Sequence, residues 1–179
     1  MTTATARIQP RLSAEQTVRR LLELIRTSHS INEFTPQRLQ EVMGVPVDTW
    51  EKDHYGFGER LTPQWFYGFE VDSTGEQPRE RRFDFSFNPH LDTSTPMTDI
   101  CQIDFEQFSA ELQKMGFSRA PYYDSPPFAL NDRDRLPHGR RMYDVFGRAG
   151  MRIQVYPRGQ ANEPIEKISH LCVKMVLID

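Results

Sequence analysis

Three phenylalanines separated by single polar residues, Arg82-Phe83-Asp84-Phe85-Ser86-Phe87-Asn88, constrain this chain more than any other stretch. Side chains alternate between the two faces of a β-strand, so this run puts every ring on one face and every polar group on the other. The segment Trp65-Phe66-Tyr67-Gly68-Phe69-Glu70-Val71 lies upstream of it, and Ser73-Thr74-Gly75 supplies a turn between them. An antiparallel hairpin with one apolar face follows. Such a face needs a covering layer, and the sequence offers helices to provide it.

Ser13 and Gln16 have the spacing of a helix capping box, and Val18, Leu21, Leu22 and Ile25 follow at helical intervals, which predicts a helix over 14–28. Thr35-Pro36 opens a second helix, carrying Leu39, Val42 and Met43 and closed by Gly44. A third, over 105–115, has the clearest local signals. Asp104 caps it, Gln107 sits at the third helical position, Ile103 can staple onto Phe108, and Gly116 ends it.

Between these helices, Trp50 to Phe57 reads as one strand weakened by Asp53 and by the glycines at 56 and 58. Arg141–Phe146 and Met151–Tyr156 flank Gly147 and Gly150 as a second hairpin. The run from His170 to Ile178 is almost continuously apolar, which predicts a central strand. Ala120 to His138, with four prolines, reads as a long irregular loop or a short strand leading into one.

The order lacks the regular βαβ alternation of a doubly wound sheet. The expected fold is α+β: an N-terminal helix pair, then an antiparallel sheet of five to six strands with one helix packed on it. Residues 1–12 form a flexible leader, and 13–179 a single domain of ordinary size.

No run approaches the ~20 apolar residues that cross a bilayer, and the N-terminus lacks a signal-like apolar segment, so the chain is expected in the cytoplasm and off the membrane. Cys101 and Cys172 lie among apolar neighbours and read as buried, inert thiols. Charge is uneven. From Glu41 to Glu76 eight acidic residues face two basic ones, whereas from Asn131 to Arg158 seven arginines face three aspartates. Either the two segments pair across the fold or they make a dipolar surface that steers a partner.

Phosphate loops, nucleophile elbows, and the C-x-x-C and H-E-x-x-H spacings of zinc sites are absent from the sequence. His90 and Asp92 form an H-x-D with no third ligand nearby in sequence, and read as polar loop residues. Neither a cofactor nor a metal is expected. A pI of about 6.0 argues against nucleic acid as the partner.

The candidate binding residues come from two stretches. Tyr122, Tyr123, Asp124, Phe128, Asp132 and Asp134 combine large rings with charge in a proline-stiffened segment, and Glu51, Asp53 and Glu59 come from the acidic stretch. Aromatic residues dominate protein–protein hot spots, and pre-ordered loops lose less entropy on association.

In profile the chain is similar to bacterial toxin-immunity proteins: small, acidic, single-domain, and without catalytic motifs. That resemblance implies a non-enzymatic inhibitor that neutralises a cognate toxin by covering its active site. Two other readings stand beside it. One is a small-molecule binder or enzyme with a pocket lined by Trp65, Tyr67, Phe83 and Phe85, with Asp84 and His54 facing inward, loosely similar to the NTF2-like arrangement. The other is an adaptor subunit of a larger assembly.

Overall fold

A computed structural model describes residues 8–73, 81–91, 94–123, 141–159 and 170–179. Its elements in chain order are α1 (Ala14–Arg26), α2 (Pro36–Met43), β1 (Asp48–Glu51), β2 (His54–Arg60), β3 (Trp65–Asp72), β4 (Arg82–Pro89), α3 (Phe105–Lys114), β5 (Ser118–Tyr123), β6 (Arg141–Arg148), β7 (Met151–Gly159) and β8 (Leu171–Ile178). The fold is α+β with an antiparallel sheet, as the patterning requires. Among the described residues the sheet has eight strands, ordered β1-β2-β3-β4-β8-β7-β6-β5, rather than five or six.

Two differences account for the count. Trp50–Phe57 is not one strand: the chain turns at Lys52 and Asp53, and β1 folds back on β2 with a register shift near Trp50. At Ser118–Tyr123 the backbone pairs with β6 and becomes an edge strand despite Pro121. Proline is tolerated at an edge because the missing N–H there faces no neighbour.

The capping signals work as the sequence predicts. Ser13 and Asp104 each accept from the backbone N–H three residues on, while Gln16 and Gln107 reach back to the cap. Gly44 and Gly116 end their helices at φ 70° and 88°, in the left-handed region open to glycine. Of the predicted leader, Leu12 is buried and Arg11 donates its backbone N–H to Glu59, so this part is tied to the sheet.

The rings of Trp65, Tyr67, Phe69, Phe83, Phe85 and Phe87 all lie on the helix-covered face, with Leu21, Leu24, Ile25, Phe34, Phe105, Phe108 and Leu112 above them. Phe34 meets Phe83 edge-on at 5.2 Å, and Tyr55 donates its hydroxyl to the Phe34 carbonyl at 2.7 Å. Burying one such ring stabilises the fold by roughly 1.5–3 kcal/mol. Trp65, Tyr67, Phe83 and Phe85 are thus core, and the expectation that they line a pocket is corrected. No helix among the described residues is long and apolar enough to cross a membrane.

β8 joins the two halves. It pairs with β4 on one side and β7 on the other, so the strand with the most continuous apolar run is central, as expected. Cys101, just before α3, and Cys172, in β8, are joined by a disulfide across 71 positions with their Cα atoms 5.3 Å apart. This corrects the reading of both residues as free thiols. Cys172 lies in the core and Cys101 packs half-buried against it, which brings the two together.

Candidate functional site

Helices cover one face of the sheet; the other carries the candidate site. Pairing fixes which residues share it. One row runs Gly58, Gly68, Ser86, Met175 and Tyr156 across β2, β3, β4, β8 and β7, and Tyr122 pairs with Tyr143 beyond it. The adjacent row includes Gly56, Glu70, Asp84, Leu177, Gln154 and Val145.

At the β2–β3 end the glycines leave the backbone bare, and a depression of about 290 Å³ forms over Gly58 and Gly68. Trp50, half exposed, makes one wall; Glu70, Asp84, Ser86 and Asn88 supply polar groups. Gly56 beside it has no room for a side chain, because a Cβ would lie 2.2 Å from the Phe69 carbonyl oxygen. The glycines that weaken this stretch as a strand are therefore what lets β2 and β3 approach and leaves the floor open.

Two carboxylates border the depression in different states of pairing. Glu70 lies 3.1 Å from His54 Nε2, and His54 packs against Trp50 with ring centroids 4.8 Å apart. The hydrogen bond to Glu70 raises the His54 pKa above 6.5. Asp84 Oδ2 accepts from Arg82 at 2.8 Å, while Oδ1 is buried without a hydrogen-bond partner among the described residues. Burial raises the Asp84 pKa despite the favourable Arg82 contact. A buried acceptor left open costs about 1–3 kcal/mol, which an incoming donor recovers.

At the other end, Tyr122 stacks on Tyr143 at 4.7 Å, and Tyr143 meets Tyr156 at 4.8 Å with the rings tilted by 39°. Tyr156 donates its hydroxyl to Gln154 at 2.9 Å. Tyr122 is 51 % exposed and Tyr123 39 % exposed. The ladder presents broad, rigid, amphipathic rings, the side-chain type favoured at interfaces.

The expected binding residues do not form one cluster. Glu51 and Asp53 are exposed at the β1–β2 turn beside Trp50, whereas Tyr122 and Tyr123 lie on β5 at the opposite edge. Glu59 accepts from the Tyr67 hydroxyl and the Arg11 backbone, both at 3.0 Å, and so joins leader to sheet. Asp124, Phe128, Asp132 and Asp134 fall outside the described residues.

Arg141, Arg148 and Arg152 of the arginine-rich segment find partners in α1, α3, β6 and the last residue. Asp144, fully buried, receives Arg119 at 2.5 Å and Arg141 Nε at 2.6 Å, and Glu106 on α3 accepts both guanidinium NH groups of Arg119. Arg148 caps the Ile25 and Ser28 carbonyls, and Arg152 pairs with Asp179. The pairs of Arg141, Arg148 and Arg152 described here lie outside the acidic stretch of 41–76.

Sequence reasoning missed the surroundings of the disulfide. His170 Nδ1 lies 3.9 Å from Cys101 Sγ, and His170 Nε2 lies 3.2 Å from Asp104 Oδ2. The H-x-C spacing of His170 and Cys172 was the available signal, but its third member is far away in sequence.

Comparison with known proteins finds no matching family model, no matching curated protein and no matching solved structure.

Proposed function

We propose that this chain is a non-enzymatic protein-binding domain whose sheet face opposite the described helices docks on a partner presenting a cationic side chain. The observation that carries this reading is the depression over Gly58 and Gly68, where an exposed indole faces two carboxylates, one with an unpartnered buried oxygen. A Lys or Arg side chain suits it by charge, by hydrogen bonding and by stacking on Trp50. The exposed carboxylates of Glu51 and Asp53 add attraction at the rim, and the tyrosine ladder extends the contact across the sheet. The bound partner is a toxin-like enzyme, which the domain inhibits by covering its active site, as the immunity-type profile implies.

The Cys101–Cys172 disulfide supports an oxidising working compartment, against the cytoplasmic location expected from composition.

The test is capture from the source cells with tagged wild-type protein, followed by affinity measurement on the isolated pair. Trp50→Ala and Asp84→Asn are each expected to weaken binding at least tenfold while leaving the melting temperature within a few degrees. Glu111→Gln, on the helix side, is expected to change nothing. Adding the wild-type chain is expected to abolish the partner's catalytic activity. Unchanged affinity in folded Trp50 and Asp84 variants would refute the docking face, and an active complexed partner would refute inhibition.

A further inference from the structure

Cys101, Cys172 and His170 converge where the loop before α3 meets the start of β8. One donor atom from each lies within 4.8 Å of the others. Cys172 is fully buried, Cys101 half-buried, and the His170 side chain 41 % exposed, so the group opens to solvent on the histidine side. Asp104 fixes the imidazole. Its Oδ1 caps α3 by accepting the Gln107 N–H at 2.8 Å, and its Oδ2 faces His170 Nε2 at 3.2 Å. A carboxylate there favours the tautomer with hydrogen on Nε2, leaving the Nδ1 lone pair directed at Cys101 Sγ, 3.9 Å away. A carboxylate behind a histidine that turns its free nitrogen toward two sulfurs is the outer-shell arrangement of zinc sites.

We propose that the disulfide is one of two states of a redox-selected Zn²⁺ site. In the other state Cys101 Sγ, Cys172 Sγ and His170 Nδ1 bind the metal, Asp104 orients His170, and water takes the fourth position. The exchange balances as follows. A dithiol reductant supplies two electrons and two protons, breaking the Cys101–Cys172 bond and becoming a disulfide itself. Zn²⁺ then displaces both thiol protons as it binds. Zn–S bonds of ~2.3 Å in tetrahedral geometry hold the two sulfurs about 3.8 Å apart. The Cα separation of 5.3 Å is compatible with that, and Cys101, in a non-helical loop, supplies the needed rotation. Two thiolates and an imidazole in tetrahedral disposition select Zn²⁺ over Mg²⁺ or Ca²⁺. In a reducing environment the metal thus restores the tie between α3 and β8 that the disulfide provides in an oxidising one.

The test uses the full chain, oxidised and phosphine-reduced, stripped of metal and titrated with Zn²⁺ against a chromophoric chelator. Co²⁺ substitution reports thiolate ligation by its charge-transfer absorption. The reduced chain is expected to bind one equivalent of Zn²⁺ and the oxidised chain none, with Mg²⁺ failing to compete. His170→Gln is expected to weaken binding at least tenfold, and Asp104→Asn, which keeps a helix-capping side chain, by 10- to 100-fold. Matching melting temperatures of the oxidised variants and wild type establish that both fold. If reduction alone unfolds the chain, Zn²⁺ is expected to refold it, because metal-binding free energy is then folding free energy. A reduced chain that neither binds nor refolds with Zn²⁺ overturns the proposal, as does wild-type affinity in His170→Gln.

Discussion

Reducing the Cys101–Cys172 disulfide in the presence of a metal chelator tests how much of the stability lies in the tie between α3 and β8. The closed loop spans 71 positions. In the chain-entropy treatment, a loop of that length removes about 4 kcal/mol of conformational freedom from the unfolded state at 25 °C. Native disulfides deliver about 2–5 kcal/mol, which is a large fraction of a typical folding free energy of about 5–15 kcal/mol. In a chain of this size that loss lowers the melting temperature by about 10 °C. The assay is urea unfolding followed by tryptophan fluorescence, with Trp65 buried in the core as the reporter and the two redox states compared at one pH. The reduced chain is also expected to show a steeper denaturant dependence, since its unfolded state exposes more surface. A stability difference below about 1 kcal/mol with equal slopes would refute the reasoning, because a loop of this length cannot then be constrained in the unfolded chain.

Gly56→Ala should destabilise by about 3 kcal/mol or abolish folding, because its Cβ meets backbone at 2.2 Å, whereas at Gly58 the nearest atom is 3.6 Å away and Gly58→Ala should be mild. Chemical denaturation of the two variants side by side decides this. Asp144→Ala leaves Arg119 and Arg141 facing a buried site without their shared anion, and should cost about 3 kcal/mol, moderated by the partial exposure of both arginines. The His54 imidazole, titrated by NMR, should have its midpoint above 6.5 and fall in Glu70→Gln. Because folding raises that pKa, the pair's contribution to stability is complete below the unfolded value near 6.5 and fades as pH rises through the folded one. Asp84 is shifted in the same direction, so stability again falls as pH rises, here through the carboxylate range. Its raised folded pKa costs stability once pH exceeds the unfolded carboxylate value, so Asp84→Asn should raise the melting temperature at pH 7 and lose that advantage near pH 3.

Elements that carry their own boundaries were legible in the sequence. The third helix has a cap, a capping-box glutamine and a terminal glycine within a few residues of its apolar face, and the structure begins and ends it within one residue of the expectation. The Phe83–Phe85–Phe87 alternation likewise fixed both the hairpin and its buried face. What escaped depends on pairing between distant residues. Nothing local to Lys52-Asp53 separates a turn from a polar strand interior; the partner of β1 decides it. The insertion of β8 between β4 and β7 matches Asp84 with Leu177, a pairing that periodicity does not encode. The depression was hidden for a related reason. Gly56 and Gly58 read only as weakening their own strand, and only the register of β2 on β3 brings them to one patch with Gly68. The expected site residues fell at the two ends of the strand order but missed the depression over β2 and β3, because exposure was inferred from charge and aromatic content rather than from facing.

The position of β8 also governs the order in which the sheet can be completed. Strands β1 to β4 form one meander and β5 to β7 another, each from neighbours in sequence, but each ends in an open edge at β4 or β7 until β8 fills the gap. During synthesis both half-sheets therefore emerge with an unpaired backbone edge before the strand that unites them exists. Open edges of that kind invite pairing with other chains. Assembly of this fold is a closing event made by β8, and substitutions that weaken β8 should appear first as poor yield of folded protein and only afterwards as loss of binding.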